Sequence, residues 1–175
     1  MIACFDVHYN ETSAYAAVLV FENWDSAIPS YENKIALNDI AEYEPGNFYK
    51  RELPPLLELL SQLPQPPEIL IIDGYCDLSE SGQPGLGARL LEHLPYAPII
   101  IGVAKNRFKA ATHAIEVFRG GSARPLFITA LGMSKEEAAN KIASMHGSYR
   151  IPTMLKAVDS LARGNSSQSI EHRIS

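Results

Sequence analysis

The run Ile69-Leu70-Ile71-Ile72-Asp73-Gly74 sets four aliphatic residues in a row between the prolines at 66–67 and a glycine. It shows no polar alternation. Such a run reads as a strand buried on both faces in the middle of a sheet, with Asp73 at its carboxyl end. A loop rich in glycine, serine and proline follows, then a helix near residues 85–94, then a second apolar run, Pro98-Ile99-Ile100-Ile101-Gly102-Val103. Strand, helix and strand in this order imply a parallel pair, which makes the chain an α/β protein with helices flanking its sheet.

Working towards the N-terminus, Ile2–Val7 and Ala14–Phe21 form a hairpin across the polar turn at 9–12, so the sheet is mixed. A third extended stretch runs from about residue 34 to 41 and ends at the turn Tyr43-Glu44-Pro45-Gly46. Leu53-Pro54-Pro55 suits the first turn of a helix, where missing amide protons cost little; Leu56, Leu57, Leu59, Leu60 and Leu63 supply its apolar stripe. Towards the C-terminus, residues 114–118 and 125–129 flank Gly120-Gly121-Ser122 as a second hairpin. Ser134-Lys135-Glu136-Glu137 has capping-box spacing for a helix to about Met145, and Thr153–Ala162 is the last helix. The reading is a single domain over residues 1–163 with a polar, frayed tail at 164–175.

The 175 residues suffice for one well-buried core, and 46% hydrophobic with 20% charged residues excludes a disordered chain or a fibre. No apolar run approaches the about 20 residues that cross a bilayer, so no membrane association is expected. Cys4 and Cys76 are too few and too scattered for a disulfide scaffold, and with no evident targeting segment a reducing cytoplasm is the expected compartment. A net charge of -5 disfavours sequence-blind attraction to a polyanion, leaving local basic groups at Lys50-Arg51, at residues 105–109, and at Arg119 with Arg124.

Three acids occupy places that packing alone rarely selects: Asp6 inside the first strand, Glu52 at the start of the first helix, and Asp73 after the central strand. If the first and fourth strands are neighbours, Asp6 and Asp73 meet at the crevice where such sheets bind ligands, with Glu52 approaching from the adjacent loop. Three carboxylates there suit a hard divalent cation, Mg2+ or Mn2+, able to bind phosphate oxygens and activate an attacking water. The same residues taken singly also read as a turn aspartate, a strand-bend cap and a helix N-terminal acid.

Phe5-Asp6-Val7, Tyr43-Glu44-Pro45-Gly46 with Arg51-Glu52, Ile71-Ile72-Asp73-Gly74, Ile101-Gly102-Val103-Ala104-Lys105 and Arg150-Ile151-Pro152 resemble, in order, the signature segments of the endonuclease V family. That resemblance implies a ribonuclease H-like fold and a DNA-repair nuclease acting on nucleic acid, DNA or RNA, that carries deoxyinosine or inosine. It implies Asp6, Glu52 and Asp73 as metal-site and catalytic carboxylates, and Lys105 as a catalytic lysine that neutralises the scissile phosphate. Tyr43, Pro45, Gly46 and Gly74 take substrate-binding places, Tyr43 on a wedge loop that here carries two extra acids, Glu42 and Glu44.

The sequence also departs from the family pattern. By the alignment of motifs, the family's histidine falls on Gly132, and the histidine-proline-arginine group after the central aspartate is replaced by Asp77-Leu78-Ser79-Glu80-Ser81. The alternative expectation is therefore a catalytically impaired or repurposed homologue that acts as a nucleic-acid-binding module. His8, two residues beyond Asp6 on an alternating strand, is the one histidine placed to share its face.

Overall fold

The computed structural model describes residues 1–10, 13–37 and 48–164. The substrate-binding expectations for Tyr43, Pro45 and Gly46 lie outside the described residues, as does the tail from 165. Among the described residues the elements run β1 (Ile2–Tyr9), β2 (Ala14–Phe21), β3 (Tyr31–Leu37), α1 (Phe48–Ser61), β4 (Ile69–Asp73), α2 (Leu86–Glu92), β5 (Ile99–Ala104), β6 (Ile115–Val117), β7 (Leu126–Leu131), α3 (Lys135–Ser144) and α4 (Thr153–Ala162).

One sheet holds all seven strands in the order β3-β2-β1-β4-β5-β7-β6. β1, β4 and β5 are parallel, while β1–β2, β2–β3, β5–β7 and β6–β7 are antiparallel. The apolar run of β4 has the predicted place at the centre. Its odd residue Ile71 joins Ile2, Cys4, Ile101 and Val103 beneath α3 and α4, while Leu70 and Ile72 join Ala3, Phe5 and Ile100 beneath α1 and α2. A strand with an apolar layer on each side needs apolar residues at every position, which explains the unbroken aliphatic run.

Two boundaries differ from the sequence reading. β3 begins at Tyr31, earlier than expected, because β2 extends to Phe21 and pairs Val20 with Tyr31. α1 begins at Phe48, so Pro54 and Pro55 fall inside the helix and Glu52 on its second turn. The missing amide donors of the two prolines interrupt the intrahelical ladder there, and burial of Leu53, Leu56 and Leu59 against the sheet offsets that cost.

At the far end, Arg119 reverses the expectation of a solvated or phosphate-binding cation. Only 8% exposed, its guanidinium donates to the carbonyls of Met145, Gly147, Tyr149 and Arg150. It fixes the α3–α4 connection.

Candidate active site

The register of the two central parallel strands decides where the acids fall. β1 and β4 pair Ile2 with Ile69 and Cys4 with Ile71, so two residues further along each strand stand Asp6 and Asp73. Both continue the face of Cys4 and Ile71, the face covered by α4. β5 pairs Val103 with Asp73, and Lys105 follows on the same alternation. Asp6, Asp73 and Lys105 thus line one narrow cleft with Ile151, Leu155 and Val158 of the α4 region. Its space is about 20 Å³, room for about one water.

A further acid, which the sequence reading missed, enters from above. The Asp6 carboxyl is hydrogen-bonded to Asp159 of α4, an arrangement that requires one proton between them, with the Asp6 O–H donating to the Asp159 carboxylate. Burial, this hydrogen bond and the charge of Asp73 push Asp6 up to about 8. Against the opposing pull of burial, the bonds from Asp6 and Arg163 hold Asp159 below the usual carboxylate range; Arg163 Nε donates at 3.0 Å. The available signal was an acid at the border of α4's apolar stripe of Met154, Val158 and Leu161, with Asp159 four residues after Leu155.

Glu52 approaches from the other side of the sheet. α1 packs on the face opposite α4, and Glu52 reaches the strand ends from its second turn, outside the lining of the Asp6–Asp73 cleft. It still senses the site: burial, then the charge of Asp73, raise it to about 7, and Arg51 partly opposes them. Arg51 stacks on the ring of Tyr9, 3.7 Å from its centroid. Among the described residues, no three His, Cys, Asp or Glu side chains are grouped as a ready-made metal cage.

Lys105 Nζ stands 3.7 Å from Asp73 Oδ2. Both side chains are over a third exposed, so this pair adds little stability and its value is positional. The strand end is held from two sides. Arg150 donates to the carbonyl of Lys105 at 2.6 Å and to those of Arg124 and Pro125. Tyr75 Oη donates to the carbonyl of Asn106 and accepts from the amide of Phe108.

Gly74 turns the chain after Asp73 with φ of +140°, its amide donating to Val103. Glycine at 102 lets that turn cross β5, since a Cβ there would lie 2.5 Å from the Gly74 carbonyl oxygen and 2.6 Å from Thr129 Oγ1. His8 lies half-buried on β1, paired with Tyr15, and is not among the residues that line the cleft.

Gly132 must be reinterpreted. It follows β7, which runs antiparallel to β5 and pairs Leu131 with Ile100; a Cβ on Gly132 would touch Ile99, at the start of β5. Lys105 stands six residues further along, roughly 20 Å away at about 3.3 Å per residue. A side chain at 132 cannot serve the acids. Its φ of +82° also gives the glycine a structural reason. Gly132→His should therefore cost about 1–2 kcal/mol of stability from its left-handed backbone and leave any nuclease rate unchanged. Melting temperature and cleavage measured side by side check this, and a rate gain would contradict the geometry.

Comparison with known proteins agrees with this architecture. The family model described as Endonuclease V matches residues 1–142. Endonuclease V of Streptomyces avermitilis is 30% identical over 144 residues, a match that covers 69% of this chain and 60% of the relative. The chain thus spans less than two thirds of that relative's length. Among solved structures, Ciona intestinalis endonuclease V in complex with a 23mer DNA containing an inosine followed by a ribo-adenosine superimposes with a TM-score of 0.76 at 19% identity, covering 98% of this chain and 86% of that one. Human endonuclease V gives 0.70 at 23%, covering 99% and 85%. At these identities the solved structures establish the ribonuclease H-like fold. With acids at the ends of parallel strands, that fold, and a family match over most of its length, the chain belongs to the endonuclease V family.

Proposed function

We propose that the protein is a divalent-metal-dependent endonuclease that hydrolyses a phosphodiester bond in nucleic acid containing deoxyinosine or inosine, and so acts in DNA repair. The observation that carries this is the placement of Asp6 and Asp73 on one face at adjacent strand ends, with Lys105 in the same cleft. Family membership and the inosine DNA bound by the Ciona relative support the substrate class.

The donor set fits a hard cation. Asp6, Asp73 and Asp159 offer oxygen only, and Asp6 and Asp159 hold a proton in common, so the cluster carries negative charge with room to accept a dication. The nearest soft donor, Cys4, is buried with its thiol pushed far up and its Sγ turned to the carbonyl of Met154. Asp6 and Asp73 would hold Mg2+ or Mn2+, with Asp159 and Glu52 beside them; such an ion supplies a bound water of lowered pKa and neutralises phosphate charge. Lys105, half-buried at the cleft mouth, would take a non-bridging phosphate oxygen.

Gly132 lies about 20 Å from the acids by strand rise, so the lack of a histidine at that position does not weigh against this reading. The experiment is cleavage of matched oligonucleotides carrying deoxyinosine, inosine in RNA, or neither, each with Mg2+ and with Mn2+. Selective cutting of an inosine strand is expected. Binding without any cutting would leave the binding-module alternative standing instead, and neither binding nor cutting would sink the proposal.

A further inference from the structure

The α3–α4 connection is held with unusual completeness for a surface loop. Arg119 bonds four of its carbonyls, Arg150 ties it to Lys105, Arg124 and Pro125, and the Thr153 amide and hydroxyl both engage His146. Gly120 packs so closely beneath it that a Cβ would lie 2.7 Å from the Tyr149 carbonyl carbon. On this clamped backbone Tyr149 is 79% exposed, far more than folding requires of a large aromatic ring. Two residues later Ile151 lines the catalytic cleft.

We infer that Tyr149 is a nucleic-acid contact, a ring presented on a rigid loop to stack on a base of the substrate strand beside the cleft. The inference rests on the nuclease reading and adds to it the surface that carries the strand away from the acids. Arg150 reaches from this loop to the Lys105 carbonyl at 2.6 Å, so Tyr149 is one residue from a direct tie to the strand end that carries Lys105. Exposed Arg124 is tied to the same loop and brings positive charge for the intervening phosphates. A rigid mount suits stacking, since little order remains to be gained on binding. In the chain the ring is preceded by exposed His146, Gly147 and Ser148, polar or small residues that add no apolar surface of their own.

The test is fluorescence anisotropy with a labelled deoxyinosine oligonucleotide in EDTA, where binding is read without cleavage. Tyr149→Ala should weaken binding by about 5- to 100-fold, as loss of one base-stacking aromatic does, with its melting temperature and its salt dependence both unchanged. Tyr149→Trp should restore it. Arg124→Ala should instead flatten the salt dependence. Equal affinity of Tyr149→Ala and wild type would overturn the inference while leaving the nuclease reading intact. Loss of self-association in Tyr149→Ala at unchanged DNA affinity would reassign the ring to a protein contact. Absence of any binding by the wild type, in EDTA and with Mn2+ present alike, would overturn both readings together.

Discussion

Asp73→Asn is expected to lose cleavage of inosine-containing strands by about 10²- to 10⁴-fold while remaining folded. Its side chain is 44% exposed and its contact with Lys105 is a solvated one, so the fold does not depend on it. The proposed catalytic role does, because Asp73 is the acid that the parallel register sets beside Asp6. A second signature separates a functional carboxylate from a structural one. The Asp73 charge raises both Asp6 and Glu52, so its neutralisation should lower both towards the usual carboxylate range, visible as a shift in their titration by NMR. An asparagine variant that cuts like wild type, with both titrations unmoved, would falsify the site.

The second large effect concerns pH and metal together. Asp6 is pushed from 3.8 to about 8 and Glu52 from 4.5 to about 7 in the folded chain. Between those limits the unfolded chain has released protons that the native chain keeps, so the unfolded state binds fewer protons and native stability falls as pH rises from about 4 to about 8. Asp159, lowered instead, contributes stability that is lost only as pH falls below its ordinary 3.8, outside this window. In EDTA the melting temperature of wild type should therefore drop between pH 6 and pH 8 relative to Asp6→Asn, by several degrees at about 2–4 °C per kcal/mol. Manganese should reverse this, since a cation binds the ionised carboxylates and must displace their protons at the lower pH. The stabilisation by Mn2+ should be larger at pH 8 than at pH 6. Equal shifts at both values, or a wild-type curve parallel to that of Asp6→Asn, would rule out a metal-binding acid cluster around Asp6.

Much of this was legible in the residues. The aliphatic run at 69–72 announced a doubly covered central strand because only apolar side chains tolerate burial on both faces. The placement of Asp6 and Asp73 followed from strand periodicity once the two strands were set side by side, and the capping box at Ser134 gave α3 its start, with the Ser134 hydroxyl accepting from the Glu137 amide. Less legible was α1, where the two prolines signalled a helix start that the chain places earlier, since burial of three leucines outweighs two lost hydrogen bonds.

The local and periodic part follows from the residues alone: which segments are strands, which faces are apolar, and that acids interrupt them at strand ends. Which distant groups share a cleft depends instead on how the elements dock. Asp159 joins Asp6 across more than 150 residues because α4 packs on β1 and β2, and no local pattern encodes that docking. Gly132 leaves the site for the converse reason. Motif order places it among catalytic residues, but β7 runs antiparallel to β5, so the end of β7 lies beside the beginning of β5 and away from Lys105. Strand direction is set by the hydrogen-bond ladder between segments far apart in sequence, and it determines which end of the sheet a residue reaches.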